Sequence, residues 1–376
     1  MPESTTSEPR LCVCHIFDDE WAYACPHSLR YLQLGLVDAA VETLLVLPAG
    51  RKLPIPPAGS GTLLTHEQGN WLTRRAQTRR TVARIRERLA ASKSPGPVIA
   101  HGFGPRSLLI AAEVIAGRDG AVVLTLDGAE SHALPHLGVK LEHPPTILAP
   151  TPPIARRLST VHVAPRIEIA PLGVPAADRV AAFDDESAEV ALVFAGRLTP
   201  GARVELLLRA LKRLLATQPR AMLFLAGKGP AEPALRQLAG ALGIASNVIF
   251  VGRVDPIRSV LQSADVFCVP HWDGRWCEEV IEAMAAGLAI VAPENGPIES
   301  LRHGQSALLF PESDEFRLAE YLERMTQDRA TARRLGTEAQ NVCRAEHQVS
   351  QMVQQHLAVY RSLAARGKTL KLDANR

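Results

Sequence analysis

The stretch Phe267–Ala292, FCVPHWDGRWCEEVIEAMAAGLAIVA, decides the reading of this chain. Val266–Val269 has the length and composition of a short buried strand, and the residues after it form an irregular loop. A helix follows with Glu282 in its first turns, and a second apolar strand, Ala289–Ala292, comes after Gly287. A helix that opens beyond the end of a parallel strand turns its free N–H groups and its dipole outward, which suits an anion. Glu282, a turn inside, is placed to accept hydrogen bonds from a pair of hydroxyls. Amides for phosphate beside a carboxylate for a diol point to a nucleotide or a nucleotide sugar.

Outward from this stretch the same strand–helix alternation continues in both directions. The second half reads as strands at Val190–Ala195, Met222–Ala226 and Val248–Val251, separated by helices at Val204–Leu215 and Ala231–Leu242. Asp255–Ser263, Glu315–Asp328, Thr331–Glu346 and Gln348–Ala365 read as further helices. The first half reads as strands at Leu11–Phe17, Ala40–Leu47, Pro97–Ala100, Ala121–Leu126 and Thr146–Ala149. Helices are expected at Pro26–Leu36, at Trp71–Ala91 and up to Ala116, with loop over Leu53–Gly61. Alternation of this kind implies parallel, doubly wound sheets. With 376 residues two domains are the expectation. The polar, acidic stretch Ala176–Glu189 is the expected linker, so the domains divide at 1–175 and 176–347.

Composition narrows the function classes. A formal charge of +3 is too balanced to argue for nucleic acid. The six cysteines show no C-x-x-C pairing, so no metal site is expected, and Cys12 and Cys268 read as reduced core thiols. No secretion signal or membrane-spanning run is evident, which gives a cytoplasmic expectation. Charge is uneven, however: seven arginines and one acid lie between Arg74 and Arg88. That segment reads first as a solvated helix face. Its second reading is peripheral contact with an anionic membrane, at the inner face.

Glu282-Ala283-Met284-Ala285-Ala286-Gly287 resembles the second half of the signature of glycosyltransferase family 4, retaining enzymes with the two-domain GT-B fold. Phe194-Ala195-Gly196-Arg197-Leu198, Leu225-Ala226-Gly227-Lys228-Gly229-Pro230, Asn247–Gly252 and Gly296-Pro297-Ile298-Glu299 extend the resemblance, in the family's order, over residues 190–310. The first 175 residues resemble it loosely. The resemblance implies two Rossmann-like domains facing a central cleft, the first completed by the last helix, 348–366. It also implies sugar transfer with retention from a nucleotide diphosphate sugar, without metal or further cofactor, to an acceptor that is a glycan, a lipid-linked molecule or a small molecule.

Residue by residue, the resemblance places Gly196, Arg197, Lys228, Gly274, Glu282 and Glu299 around the donor, with Arg197 neutralising the diphosphate and Glu282 on the ribose. For Lys228 a plain turn is an equal reading. Three departures stand out. A lysine of the family is Ala202 here, with Arg203 next to it as substitute for the charge. The signature's first glutamate falls at Gly274, and Asp273 is its neighbour and stand-in, so Arg197, Arg203 and Asp273 are the expected catalytic residues. In the first domain Asp127 replaces a family histidine on the acceptor side, where His101 is the other candidate, a core histidine being its alternative. The glycine-rich loop expected after the first strand is Asp18-Asp19-Glu20-Trp21, which is ill-suited to phosphate. These departures raise a rival reading: a transferase-like protein that binds a nucleotide or a partner without catalysis.

Overall fold

The computed structural model describes residues 11–24, 26–50, 61–66, 74–91, 96–128, 144–160, 166–183 and 189–366. Cys25, Trp71, the proline-rich stretch 53–60 and residues 184–188 of the expected linker lie outside them. The chain forms two compact units, Met1–Leu172 with Val349–Arg376, and Gly173–Gln348.

The N-terminal unit is built in chain order from β1 (Cys12–Phe17), α1 (Asp19–Ala24), α2 (Pro26–Asp38), β2 (Glu42–Pro48), β3 (Gly61–His66) and α3 (Arg74–Ala90). Then come β4 (Val98–Phe103), α4 (Leu108–Ile115), β5 (Gly120–Thr125), β6 (Thr146–Ala149), α5 (Pro152–Ser159) and β7 (Ile167–Ile169). Its seven strands pair in parallel in the order β3-β2-β1-β4-β5-β6-β7. β1 and β4 are buried along their whole length, as central strands covered on both faces must be. That explains why they read as unbroken apolar runs. Leu63 in β3 is exposed, as befits an edge strand, and the sequence reading missed this strand because it begins where a loop is expected to end.

The C-terminal unit contains β8 (Val190–Ala195), α6 (Val204–Leu214), β9 (Ala221–Ala226), α7 (Glu232–Ala241), β10 (Val248–Gly252) and α8 (Arg258–Leu261). β11 (Val266–Cys268), α9 (Glu278–Ala286), β12 (Ala289–Pro293), β13 (Leu308–Phe310), α10 (Glu315–Gln327) and α11 (Arg329–Glu346) complete it. The sheet is again parallel, in the order β10-β9-β8-β11-β12-β13. Its core joins Leu192, Leu207, Leu211, Leu223, Val291 and Leu322, all from strands and from the inner faces of α6 and α10. Helix ends follow local chemistry. Gly287 takes φ 73 to close α9, and Asp314 and Asp328 accept Arg317 N–H at 2.9 Å and Thr331 N–H at 3.0 Å to open α10 and α11.

The expected linker is instead a strap on the C-terminal unit. Ala177, Ala181 and Ala182 donate backbone N–H groups to the carbonyls of Ala285, Ala286 and Gly287 at the end of α9. Gln340 Nε2 on α11 reaches the carbonyls of Ala177, Arg179 and Ala285 at 2.9–3.2 Å. Polar, alanine-rich composition marks a linker statistically, but small side chains also let a backbone lie flat against a helix end. Helix α12 (Val349–Ala365) then rejoins the N-terminal unit, where Gly35 of α2 admits Val353: a Cβ at Gly35 would lie 2.3 Å from Val353 Cγ2.

Candidate functional site

In the C-terminal sheet the chain runs from β8 outward to β9 and β10, then returns to β11 on the other side of β8. Parallel sheets bind ligands outside the carboxyl ends of their strands where the winding reverses, here between β8 and β11. Gly196 and Arg197 follow β8, the loop 269–277 follows β11, and Lys228 follows the adjacent β9. The fold therefore brings the loops carrying Gly196, Arg197, Lys228, Asp273 and Gly274, and helix α9 that carries Glu282 after them, to one end of one sheet.

The loops after β8 and β9 lie backbone on backbone. Gly196 N–H donates to Ala226 O at 3.0 Å and Leu198 N–H to Lys228 O at 3.1 Å. A Cβ on Gly227 would stand 1.8 Å from Gly196 O, and one on Gly229 2.1 Å from Leu198 O. Only glycine allows that approach, so the Gly227-Lys228-Gly229 motif is a packing requirement as well as a turn. Between these contacts the side chains of Arg197 and Lys228 are both exposed. Two exposed cations on a fixed backbone are suited to a diphosphate.

The loop after β11 is tied down elsewhere. Trp272 Nε1 donates to Pro293 O at 2.7 Å, and the indole occupies the space a side chain at Gly296 would fill, 2.4 Å from its Cβ position. Beyond it Asp273 is exposed: its Oδ1 accepts Arg275 N–H at 3.0 Å and its Oδ2 lies 3.9 Å from Arg275 Nε. Gly274 turns at φ 79. Trp276 is buried, and Cys277 caps the start of α9 with its thiol 3.3 Å from Glu279 Oε2. Burial, followed by the Glu279 charge, pushes the Cys277 thiol well up, so it is no nucleophile at neutral pH. Burial likewise raises the Glu279 carboxyl.

Glu282 is only 2% exposed and ion-paired. Its Oε2 accepts Arg258 Nη2–H at 2.9 Å and Nε–H at 3.3 Å, and Arg258 Nη2 also reaches Pro175 O in the strap. The sequence reading missed Arg258, because a residue 24 positions away on a four-residue helix leaves no periodic trace. Arg203 stands in the left-handed region at φ 51 before α6. Its Nη1 donates to Ser313 Oγ at 2.6 Å and its Nε lies 3.7 Å from Glu205, so the structure commits this guanidinium to the α10 end rather than to Arg197. Glu299 is exposed, and the residues after it form turns, so the capping alternative has no helix to cap.

On the N-terminal unit His101 is a core residue, the alternative given for it beside an acceptor-side role. It is fully buried with its ring in a polar chain under α12. Gln33 Nε2 bonds His15 Nδ1, His15 Nε2 lies 3.1 Å from Tyr360 Oη, Tyr360 Oη 2.6 Å from His101 Nδ1, and His101 Nε2 2.7 Å from Thr125 Oγ1. An amide N–H donates, so His15 Nδ1 accepts from Gln33 and the neutral ring gives Nε2–H to Tyr360 Oη; the Tyr360 hydroxyl then joins His15 to His101, whose other nitrogen pairs with the Thr125 hydroxyl. Burial holds His15 down at about 3 and His356, which gives Nδ1–H to Met352 O at 2.8 Å, at about 4. The other acceptor-side candidate, Asp127, follows β5 and is nearly buried. Asp18, after β1, is buried too, and its Oδ2 lacks a partner among the described residues.

Residues 189–328 match the family described as group 1 glycosyl transferases. The chain is 36% identical over 142 residues to a phosphatidyl-myo-inositol mannosyltransferase of Mycolicibacterium smegmatis, a match that covers 36% of this chain and 36% of that one. It spans 16% and 29% of the lengths of two other curated relatives. Among solved structures, sucrose-phosphate synthase of Thermosynechococcus elongatus superposes with a TM-score of 0.76 at 20% identity, covering 95% of this chain and all of that one. Anabaena HepE in complex with UDP and glucose superposes with a TM-score of 0.73 at 14% identity, over 94% of this chain and all of that one. The architecture is the GT-B fold.

Proposed function

We propose that this chain transfers a sugar from a nucleotide diphosphate sugar to an acceptor hydroxyl, with retention, in the manner of glycosyltransferase family 4. One observation carries the reading: the glycine-locked loops after β8 and β9 hold two exposed cations, Arg197 and Lys228, at the point where the sheet reverses. The mannosyltransferase among the relatives and the neighbour in complex with UDP and glucose support the donor class. Arg197, with Lys228, stabilises the charge that grows on the departing diphosphate, the interaction that strengthens toward the transition state. Glu282, oriented by Arg258, takes the ribose diol, and Gly274 and Glu299 line the donor. No metal or further cofactor is part of the reading, because two guanidinium or ammonium groups supply the countercharge.

The rival, a transferase-like protein that binds without turning over, has a specific observation in its favour. Where the family signature has its first glutamate this chain has Gly274, and the Asp273 carboxylate next to it is turned onto Arg275. Asp273 serves the donor sugar only by leaving that turn. Among the described residues no helix is long and apolar enough to cross a membrane. A cytoplasmic place, with peripheral contact at the inner membrane face through α3, remains part of the proposal. Arg75, Arg79, Arg80 and Arg88 are exposed there, while Arg86 is committed to the carbonyls of Glu113 and Ala116.

Titration with a panel of nucleotide diphosphates and their sugars tests the site, and product analysis tests turnover. A sugar nucleotide that binds and is consumed supports transfer. One that binds and is returned intact with every acceptor supports the rival.

A further inference from the structure

The N-terminal sheet has its own point of reversal, between β1 and β4. Asp18 is the first residue past β1 and Gly104 the first past β4. Phe17, Phe103 and Thr125 stand in register, so Asp127, two residues past β5, lies on the far side of Gly104 from Asp18. Asp18 is 2% exposed. Its Oδ1 accepts Trp21 N–H at 3.1 Å and its Oδ2 has no partner among the described residues. A Cβ on Gly104 would lie 1.8 Å from that same oxygen, so the missing side chain at 104 is what lets the carboxylate stand there.

A buried carboxylate oxygen without a donor is costly, and native structures rarely keep one unless something binds it. Burial is the largest influence on Asp18. The Trp21 N–H and Arg106 favour its charge, while Asp127 and Glu20 oppose it, and the carboxyl ends up raised to about 7. Among the described residues, three carboxylates, Asp18, Asp127 and Glu20, stand against one guanidinium, Arg106, which makes this corner of the sheet acidic. Acidity repels a phosphate and attracts a cation. A neutral hydroxyl supplies the missing donor but none of the missing charge, whereas an ammonium supplies both.

We propose that Asp18 and Asp127 flank a subsite for the protonated amine of a ligand, whose N–H completes Asp18 Oδ2 and whose charge both carboxylates share. Asp127, the more exposed of the two, meets the solvent first. Calling that ligand the acceptor rests on the transfer reading above; the subsite itself does not.

The test compares three probes that differ at a single position: 6-amino-6-deoxyglucose, glucose and glucose 6-phosphate, titrated at neutral pH by NMR against the whole chain. The amine binds about tenfold or more tightly than glucose, and the phosphate binds most weakly. Asp18→Asn keeps an oxygen for Trp21 N–H and abolishes the preference, and Asp127→Asn reduces it. If Asp18→Asn does not fold, Asp127→Asn carries the test alone. Equal binding of amine and glucose to the parent overturns the proposal, as does a preference that survives in the folded Asp18→Asn protein, since a resident water then satisfies Oδ2. UDP-glucose titrated on the same proteins separates the two readings. Parent protein that binds the amine but no nucleotide sugar retains the subsite and loses the transferase.

Discussion

Gly227→Ala should damage both the stability and the chemistry of the C-terminal unit. The new Cβ would stand 1.8 Å from Gly196 O, and real Cβ atoms do not come within 3.0 Å of such a neighbour. The obstacle is backbone, so the loops after β8 and β9 must part by more than an ångström. That movement breaks the Gly196 N–H···O Ala226 bond and stretches Leu198 N–H···O Lys228. At roughly 1 kcal/mol for each bond, and up to about 2 more for groups left unpaired, the loss is about 2–4 kcal/mol. Arg197 moves with its loop, and a misplacement of that size costs turnover on the order of 100-fold. Urea denaturation fitted with one transition per unit reads the first effect, and single-turnover sugar transfer the second. Gly240→Ala is the control: no described residue comes within 4 Å of a Cβ there, in the last turn of α7, and the protein should lose no stability and gain up to about 0.5 kcal/mol. A Gly227→Ala protein within about 0.5 kcal/mol of the parent, with turnover intact, would refute the argument that this contact holds the site.

Arg197→Ala should lower turnover more than donor affinity, and equal losses in steady-state kinetics would assign it to binding alone. Arg258→Ala leaves the buried Glu282 charge uncompensated and should cost about 3 kcal/mol of urea stability, part of which Glu282→Gln in the same chain recovers. No recovery would mean that Arg258 acts through Pro175 instead. In acid, His15 and His356 titrate in the fold at about 3 and about 4, below their value near 6.5 in an unfolded chain. Their contribution is therefore complete above about pH 6.5 and is lost as pH falls toward 4 and 3. The N-terminal unit should lose on the order of several kcal/mol between pH 7 and 4, and a flat profile would contradict the neutral chain through Tyr360. Asp18 runs the other way: raised to about 7 from an ordinary value of 3.8, its neutral form favours the fold below 3.8, and that advantage fades as pH rises through 7. Asp18→Asn should thus exceed the parent in stability by a few kcal/mol at pH 8 but not at pH 4; the same difference at both ends would dismiss the shift.

Periodicity alone carried most of the architecture. Apolar runs such as Cys12–Phe17 and Ala289–Pro293 are buried on both faces, which leaves no alternation to misread. Edge strands β3, β7 and β13 were harder, because three to six residues at a sheet margin look like loop. The glycines at 196, 227 and 229 were legible as turns, yet their mutual contact was not, since two loops 30 residues apart carry no joint signal. The same limit hid Arg258 beneath Glu282 and Trp272 over Gly296. His101 left two readings open, acceptor side or core, because a histidine near a strand end fits both, and only the distant Tyr360 shows that it belongs to the core.

The N-terminal unit is written in two instalments. Its sheet is encoded before Leu172, but the Tyr360 hydroxyl that fastens His15 to His101 arrives only after the whole of Gly173–Gln348 has been read. At the speed of a ribosome that interval is roughly 10–35 s. Through it the first sheet waits with Gly35 and two imidazoles facing no helix, while the second unit already holds all of its own strands. A chain truncated at residue 348 and released should accordingly present a finished C-terminal unit and an unfinished N-terminal one, so the half made first is the half completed last.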